Sequence, residues 1–294
     1  METKNNKNSP LTKALVATAL VLAAALIAVT LLSLPSLLGG TPAATEQPTE
    51  APTLPPTEPE PTLPPPEENP FGSLDFQYEG RYLKLREGNS VTGIDVSHWQ
   101  KLIDWEQVKE SGVDFAMIRL GYRGYTEGGL FLDPWYEKNI TGAAAAGLDT
   151  GVYFFSQAVN VGEAIEEAEF VIDNLKGYRV NLPIIFDWEQ IEDEARTDDV
   201  GVQTRTDCAV AFCRTITNAG YDAGVYFNRK LGYYGFDLSR LADYAIWVSV
   251  PGDFPDFYYA CDFWQFSFEG TVPGIEGNAD LNLRFIPVSE QKKN

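Results

Sequence analysis

Histidine and cysteine are nearly missing from this chain. Its 294 residues include one histidine, His98, and three cysteines, Cys208, Cys213 and Cys261. One histidine cannot build a His-rich metal site or a pair of catalytic histidines. A Ser-His-Asp triad would have to use His98, and no G-x-S-x-G turn accompanies it. The cysteines have no zinc-ligand spacing, so no metal and no other cofactor is expected. An odd number of cysteines cannot all pair within one chain. Cys208 and Cys213 would stand about 140° apart around a predicted helix, so they do not face each other. They read as small buried hydrophobes, and the sequence leaves open a bridge from Cys261 to either.

Positive charge is also scarce. There are 22 Lys and Arg against 42 Asp and Glu, a net charge of −20. Without Lys4, Lys7, Lys13 and the seven glutamates before residue 71, residues 71–294 hold 19 basic and 35 acidic side chains, a net −16. Such a surface does not favour nucleic acid, anionic lipid or anionic polymers. Uncharged or only locally charged substrates fit better.

Long apolar runs are absent, with one exception. Ala14 to Leu34 reads ALVATALVLAAALIAVTLLSL without a single charge. As a helix it would span about 31 Å, close to the ~30 Å core of a bilayer. The apolar region of a cleaved signal peptide is shorter, and no clear A-x-A site follows; Pro42-Ala43-Ala44 comes nearest. No cysteine stands nearby to carry a lipid. An uncleaved anchor over 14–38 is therefore expected, with secretion after signal cleavage as the alternative. Lys4, Lys7 and Lys13 place residues 1–13 in the cytoplasm and the rest of the chain outside. Residues 39–70 are dominated by Pro, Thr, Glu and Ala and read as an extended, unfolded spacer.

Beyond residue 71 the pattern alternates strand and helix. Strands are predicted over Thr92–Val96, Phe115–Leu120, Thr150–Phe155, Leu182–Phe186, Gly224–Phe227, Ala245–Val248, Phe263–Phe266 and Leu281–Phe285. Helices are predicted over Asp104–Ser111, Pro134–Ala146, Gly162–Leu175 and Thr204–Ala219. The third turns Ala164, Ala168, Val171, Ile172 and Leu175 inward. Later helices are short or missing. About eight strands with helices between them imply an α/β fold, a single irregular (β/α) barrel of the TIM type. Residues 71–91 precede the barrel and are expected to lie across its outside.

The run Leu182-Pro183-Ile184-Ile185-Phe186-Asp187-Trp188-Glu189 is the most informative stretch. It is an apolar strand that ends in two carboxylates with a tryptophan between them. Alternation puts Asp187 and Glu189 on one side and Trp188 on the other. Neighbouring carboxyls resist joint ionisation, and burial raises their pKa, which holds one of them protonated for acid catalysis. A strand running into a solvated polar loop would have the same letters. Asp95 ends the first strand, whereas Asp280 precedes the last, against the rule that barrel sites gather at strand C-termini. Aromatics accompany these acids: Trp99, Tyr122, Tyr153, Trp188, Tyr226, Trp247 and Trp264. Ring faces beside carboxyls suit sugar binding and glycosidic cleavage, although each ring singly would also serve a core.

Gly93-Ile94-Asp95-Val96-Ser97, with Trp99-Gln100 and Ile103-Asp104-Trp105, resembles the opening signature of glycoside hydrolase family 25, the lysozymes or N-acetylmuramidases. Ile118-Arg119, Gly121-Tyr122, Gly151-Val152-Tyr153, Asp187-Trp188-Glu189, Gly224-Val225-Tyr226, Ile246-Trp247, Trp264-Gln265 and Asp280-Leu281-Asn282 follow in matching order. The resemblance covers about residues 92–286, and a catalytic domain over 92–288 with a short tail, 289–294, is expected. It implies a flattened barrel that cleaves the β-1,4 bond between N-acetylmuramic acid and N-acetylglucosamine. By the same resemblance Glu189 is the general acid and Asp187 assists the substrate's N-acetyl group. Asp95 and Asp280 complete the acidic site, and Tyr153, Tyr226, Trp247, Trp264 and Gln265 line the sugar groove. Retention through an oxazolinium intermediate is the mechanism usually proposed for the family, beside direct displacement by an activated water. The expected partners are peptidoglycan strands and, through the anchor, the membrane; a monomer is expected. Two alternatives stand beside this reading: a wall-binding scaffold without catalysis, and a glycosidase for another N-acetylated glycan such as chitin. Glu192, Asp193, Glu194, Asp198 and Asp199 do not fit a calcium loop. The sequon at Asn139-Ile140-Thr141 falls in a predicted helix.

Overall fold

The computed structural model describes residues 63–191 and 194–286. The expected cytoplasmic tail, the membrane span over 14–38, most of the linker and the C-terminal tail lie outside them. Among the described residues no helix is long and apolar enough to cross a membrane.

Phe76–Glu79 (β1) and Tyr82–Leu85 (β2) form an antiparallel hairpin. Its turn places Gly80 at φ 65°, a conformation that a side chain would strain. Then follow β3 (Ser90–Val96), β4 (Phe115–Arg123), β5 (Leu130–Leu132), β6 (Asp149–Ser156) and β7 (Ile184–Trp188). The last strands are β8 (Ala223–Asn228), β9 (Ala245–Ser249), β10 (Phe263–Gly270) and β11 (Ala279–Phe285). Eight of these close a ring in the order β3-β4-β6-β7-β8-β9-β10-β11, back to β3. From β3 to β10 each pairing is parallel. β11 runs antiparallel to both its neighbours, β10 and β3. The short β5 folds back antiparallel on the far end of β4, outside the ring. The result is a mixed rather than an all-parallel barrel.

Helices α1 (Trp105–Glu110), α2 (Tyr136–Ala145), α3 (Val161–Leu175) and α4 (Val202–Asn218) cover the early strands. After the two-turn α5 (Arg229–Tyr234) only a 3-10 turn at Leu238–Leu241 remains among the described residues. Asp104 caps α1, its Oδ1 accepting from the Gln107 amide at 3.2 Å, which satisfies one of the free N–H groups of the first turn. On α3 the buried set is Ala164, Glu167, Ala168, Val171 and Leu175. Ile172 is only partly buried. Glu167 enters the core because Arg123 Nε meets its carboxylate at 2.7 Å; a buried charge needs such a partner.

Two apolar layers result. Between sheet and helices lie Phe154, Ile184, Phe186, Val171 and Phe212. Inside the ring, Phe115, Met117, Leu182, Ile185 and Phe263 plug the lumen. Glycines make room for them. A Cβ on Gly93 would stand 2.2 Å from the Phe115 ring, and one on Gly151 2.6 Å from Met117 Sδ. With its lower lumen filled, the barrel has only its mouth for a site.

The hairpin packs on the barrel through Phe76, edge to face on Trp264 at 5.1 Å. Phe71 stacks on Phe285 at 4.6 Å. Docking begins before residue 70, within the stretch expected to be spacer. Asn69 Nδ2 donates to the carbonyls of Pro255 and Phe257, both at 3.0 Å. All three cysteines are free thiols.

Candidate active site

Strand alternation decides which side chains reach the mouth. On β7, Ile184, Phe186 and Trp188 join the outer layer, while Ile185 joins the inner one. Asp187 and Glu189 continue the inward row and line a cavity of about 520 Å³. Asp95 from β3, Tyr153 from β6, Tyr226 from β8, Trp247 from β9 and Gln265 from β10 line it too, with Asp280. Asp280 looked misplaced at the start of a strand. The reversal of β11 explains it, because the first residues of an antiparallel strand lie where the parallel strands end. Asp280 is the cross-strand partner of Asp95.

Trp264 does not belong to this set, which corrects the expectation that it lines the groove. Phe263 packs in the lumen and Gln265 lines the cavity, so Trp264 between them must face outward. Its Nε1 donates to the Val250 carbonyl at 2.8 Å and its ring packs under Phe76. Trp188 faces outward by the same parity, beneath the Arg205 guanidinium at 3.9 Å.

Amides fix the carboxyls. Gln265 Nε2 donates to Asp95 Oδ2 at 2.8 Å and to Asp280 Oδ2 at 3.1 Å. Asn282 Nδ2 donates to Asp95 Oδ2 at 2.8 Å. The amides are themselves oriented. Tyr226 Oη donates to Gln265 Oε1 and Trp247 Nε1 to Asn282 Oδ1, both at 2.9 Å. Tyr226 and Trp247 therefore serve the acids as well as the cavity wall. Asp187 Oδ1 is buried, and no described residue bonds to it.

Burial and crowding hold protons on this cluster. Burial, then the charge of Asp95, pushes the Glu189 carboxyl up to about 7. Burial pushes Asp95 up to about 6, against the amide donors of Asn282 and Gln265 that favour its anion. Burial, then the charge of Asp95 and the hydrogen bond shared with it, pushes Asp280 up to about 8. Asp187 is held well above the usual carboxylate range by burial and by the charges of Glu189 and Asp95, against Arg119. Four such groups cannot all ionise together. One cleft thus keeps a carboxylic acid near neutrality beside neighbours able to act as anions.

Arg119, Asn282 and Phe268 are among the lining or supporting residues to which the sequence gives no role. Arg119 is the one cation lining the cavity among the described residues. Its Nε and Nη2 both meet the buried Asp133 at 2.8 Å, and Nη2 also meets His98 Nδ1. Its inward position two residues after Met117 was readable from alternation, and so was that of Asn282, two after Asp280. Phe268 gave no such signal, since it follows a bulge in β10. It stands where the cavity joins a neighbouring groove of about 790 Å³ that shares Glu189, Tyr226 and Asp280. The cleft therefore extends past the acids. Among the described residues no group of His, Cys, Asp and Glu has metal-holding geometry.

Residues 94–275 match the family described as glycosyl hydrolases family 25. The chain belongs to this family. It is 31% identical over 211 residues to Lysozyme M1 of Streptomyces globisporus, covering 66% of this chain and 67% of that protein. It is 29% identical over 194 residues to the autolytic lysozyme of Clostridium acetobutylicum, covering 65% and 55%. In fold it is similar to the modular autolysin LytC of Streptococcus pneumoniae, with TM-score 0.60, 23% identity and coverage of 71% and 52%. A family 25 glycosyl hydrolase of Bacillus anthracis gives TM-score 0.57, 22% identity and coverage of 74% and 95%. The chain thus spans about half the length of the autolysins and nearly all of the latter. As a family 25 member it is a glycoside hydrolase, and the four carboxyls sit at the mouth of its barrel.

Proposed function

We propose that this family 25 chain is a muramidase that hydrolyses the β-1,4 bond between N-acetylmuramic acid and N-acetylglucosamine in peptidoglycan. The observation that supports it most is the pairing of Glu189, pushed up to about 7, with a neighbouring carboxyl, Asp187, whose buried Oδ1 has no bond from a described residue. Glu189 donates its proton to the glycosidic oxygen as the C1–O bond breaks. Asp187 Oδ1 accepts from the acetamido N–H of the same sugar, so the acetyl oxygen attacks C1 and an oxazolinium forms. That hydrogen bond and the positive charge developing on the ring favour the anion of Asp187. Water then adds to C1, the Glu189 carboxylate takes its proton, and the acetamide is restored with retained configuration. Asp95 and Asp280, braced by Gln265 and Asn282, set the charge around Glu189. Tyr153, Tyr226, Trp247 and Gln265 form the sugar-binding wall, and the groove beyond Phe268 accepts the strand on the far side of the cut.

The test is mass spectrometry of peptidoglycan digested by the purified chain. Muramic acid at the new reducing ends is expected, with no products from Glu189→Gln. Glucosamine at those ends would refute the bond assignment, and binding without any products would favour a scaffold. As part of the same proposal, residues 14–38 anchor the enzyme outside the cell, with residues 39–62 as a spacer, for remodelling of its own wall. Recovery of the protein mainly from culture medium, with its N-terminus removed, would refute the anchor.

A further inference from the structure

One buried side chain holds both ends of the loop that leaves Glu189. Gln157 follows β6 and is fully buried. The β6–β7 ladder ends at the pair Ser156 and Trp188. The next rung would pair Gln157 with Glu189, and the side chain supplies it instead. Gln157 Nε2 donates to the Glu189 carbonyl at 3.1 Å and to the Ser156 carbonyl at 2.9 Å. Its Oε1 accepts from Thr197 Oγ1 at 2.9 Å. Both amide hydrogens are used, so the amide cannot turn over without losing all three bonds. Its own backbone carbonyl accepts from Arg196 Nη1 at 3.1 Å. Arg196 is gripped by the Glu163 carboxylate, at 2.8 and 2.6 Å. Beneath, Ser156 Oγ donates to Glu167 at 2.6 Å, and Glu167 pairs with Arg123. Apart from Glu189 itself, none of these residues lines the cavity.

We propose that Gln157 is a positioning residue for Glu189: its amide fixes the backbone from which the acid projects, and Thr197 and Arg196 lock that amide. This rests on Glu189 being the general acid. Glu189 lies beyond the last strand pair, so without this clasp its backbone has no ladder partner on the β6 side. A displacement near 1 Å of a reacting group costs on the order of 100-fold in rate. Release of the backbone also lets water reach a carboxyl that burial, first of all, keeps protonated. The charged and titratable groups sharing its cleft are Asp95 of β3, Arg119 of β4, Tyr153 of β6, Asp187 of β7, Tyr226 of β8 and Asp280 of β11.

The experiment measures kcat, KM and the pH profile on soluble peptidoglycan fragments. Gln157→Met and Thr197→Val are compared with wild type, and Thr197→Ser serves as the conservative rescue. For the first two we expect kcat lower by roughly 10- to 100-fold, KM within about twofold, and a basic limb moved to lower pH. Thr197→Ser keeps the hydroxyl and should retain kcat within about threefold. Ser156→Ala is the control for a general structural loss, since it breaks the hydroxyl's bonds to Glu167 and the Ala158 amide and leaves the Gln157–Glu189 bond in place. If it lowers kcat as much as Gln157→Met at an equal loss of melting temperature, the role is structural and the inference fails. If Gln157→Met does not fold, Thr197→Val, which removes one hydroxyl, decides. Should Glu189→Gln turn over like wild type, the general-acid reading itself is wrong. Should Glu189→Gln be inactive while Gln157→Met and Thr197→Val keep the wild-type kcat and pH profile, only the positioning inference is wrong.

Discussion

If Glu189 is the general acid, its pKa sets the alkaline limit of the enzyme, and Asp95 is a lever on it. At pH 6 a carboxyl with pKa about 7 is roughly 90% protonated, whereas one at the ordinary 4.5 is only about 3% protonated. The environment thus raises the working acid about 30-fold at that pH. Burial is the first cause and the charge of Asp95 the second. Asp95→Asn removes the second and keeps the shape. The new Oδ1 can accept the two amide donors now on Asp95 Oδ2, each at 2.8 Å, leaving Nδ2 towards Asp280. Loss of a nearby negative charge stabilises the Glu189 carboxylate, so its pKa falls. Asp95 is pushed up to about 6 itself, so near pH 7 it bears most of a charge and the shift should approach its full size. We expect about half a unit to one unit, or ~0.7–1.4 kcal/mol. The assay is kcat/KM from pH 5 to 9 at constant ionic strength. The wild-type basic midpoint should lie near 7, and that of Asp95→Asn between about 6 and 6.5. The height of the profile reports separately on contacts of Asp95 with the reacting atoms. A midpoint that stays put or rises would refute the reasoning.

Gly93→Ala drives a methyl into the Phe115 ring, 2.2 Å away. Overpacking of this kind costs about 1–3 kcal/mol and should lower the melting temperature by roughly 2–10 °C, read by thermal unfolding. Asp280, raised to about 8 when folded, favours the fold most below its unfolded pKa near 4, and that contribution is lost as pH rises through 8. The wild type should therefore melt lower at pH 8 than at pH 5, with a smaller difference for Asp280→Asn; equal differences would count against it. Trp264→Ala should cost about 3–5 kcal/mol of stability, measured by denaturant unfolding, because its ring lies between barrel and hairpin. Tyr226→Phe removes the hydroxyl that donates to Gln265 and keeps the ring, so it should lower kcat several-fold with less than about 1.5 kcal/mol lost on unfolding.

Much of this architecture was legible in the letters, for identifiable reasons. The early strands and helices announced themselves by period, and the Asp187 and Glu189 pair by its place at the end of an apolar run. Parity along one strand is a local property, so it correctly set Trp188 apart from the acids. The same reasoning applied to Trp264 would have sent it outward. Its neighbour Gln265 was assigned to the cavity, and adjacent residues of a strand cannot both face it. Glu167 was unreadable because its burial depends on Arg123, 44 residues earlier, and no period encodes an ion pair. Gln157 was unreadable for the same reason: its partners, Glu189 and Thr197, lie 32 and 40 residues away.

The reversal of β11 is what turns two scattered motifs into one site. Asp95 ends a strand that points towards the mouth, so a partner for it must also lie at the mouth. In a parallel eighth strand, residues as early as Ala279 and Asp280 would lie at the opposite end, behind the lumen plug of Phe115 and Phe263. Run backwards, the strand brings Asp280 level with Asp95 and Asn282 level with Gly93. Asn282 then reaches Asp95 Oδ2 across a position with no side chain of its own. Gly93 serves this arrangement twice, since the ring of Phe115 fills the space beneath it. The antiparallel pairing also explains how the connection from Gly270 to Ala279 suffices between β10 and β11 without a helix, where a parallel pair would need a crossover of about a dozen residues or more. The missing helix between β10 and β11 and the position of Asp280 are therefore one fact: a barrel that reverses its eighth strand gains a pair of facing carboxyls at its mouth.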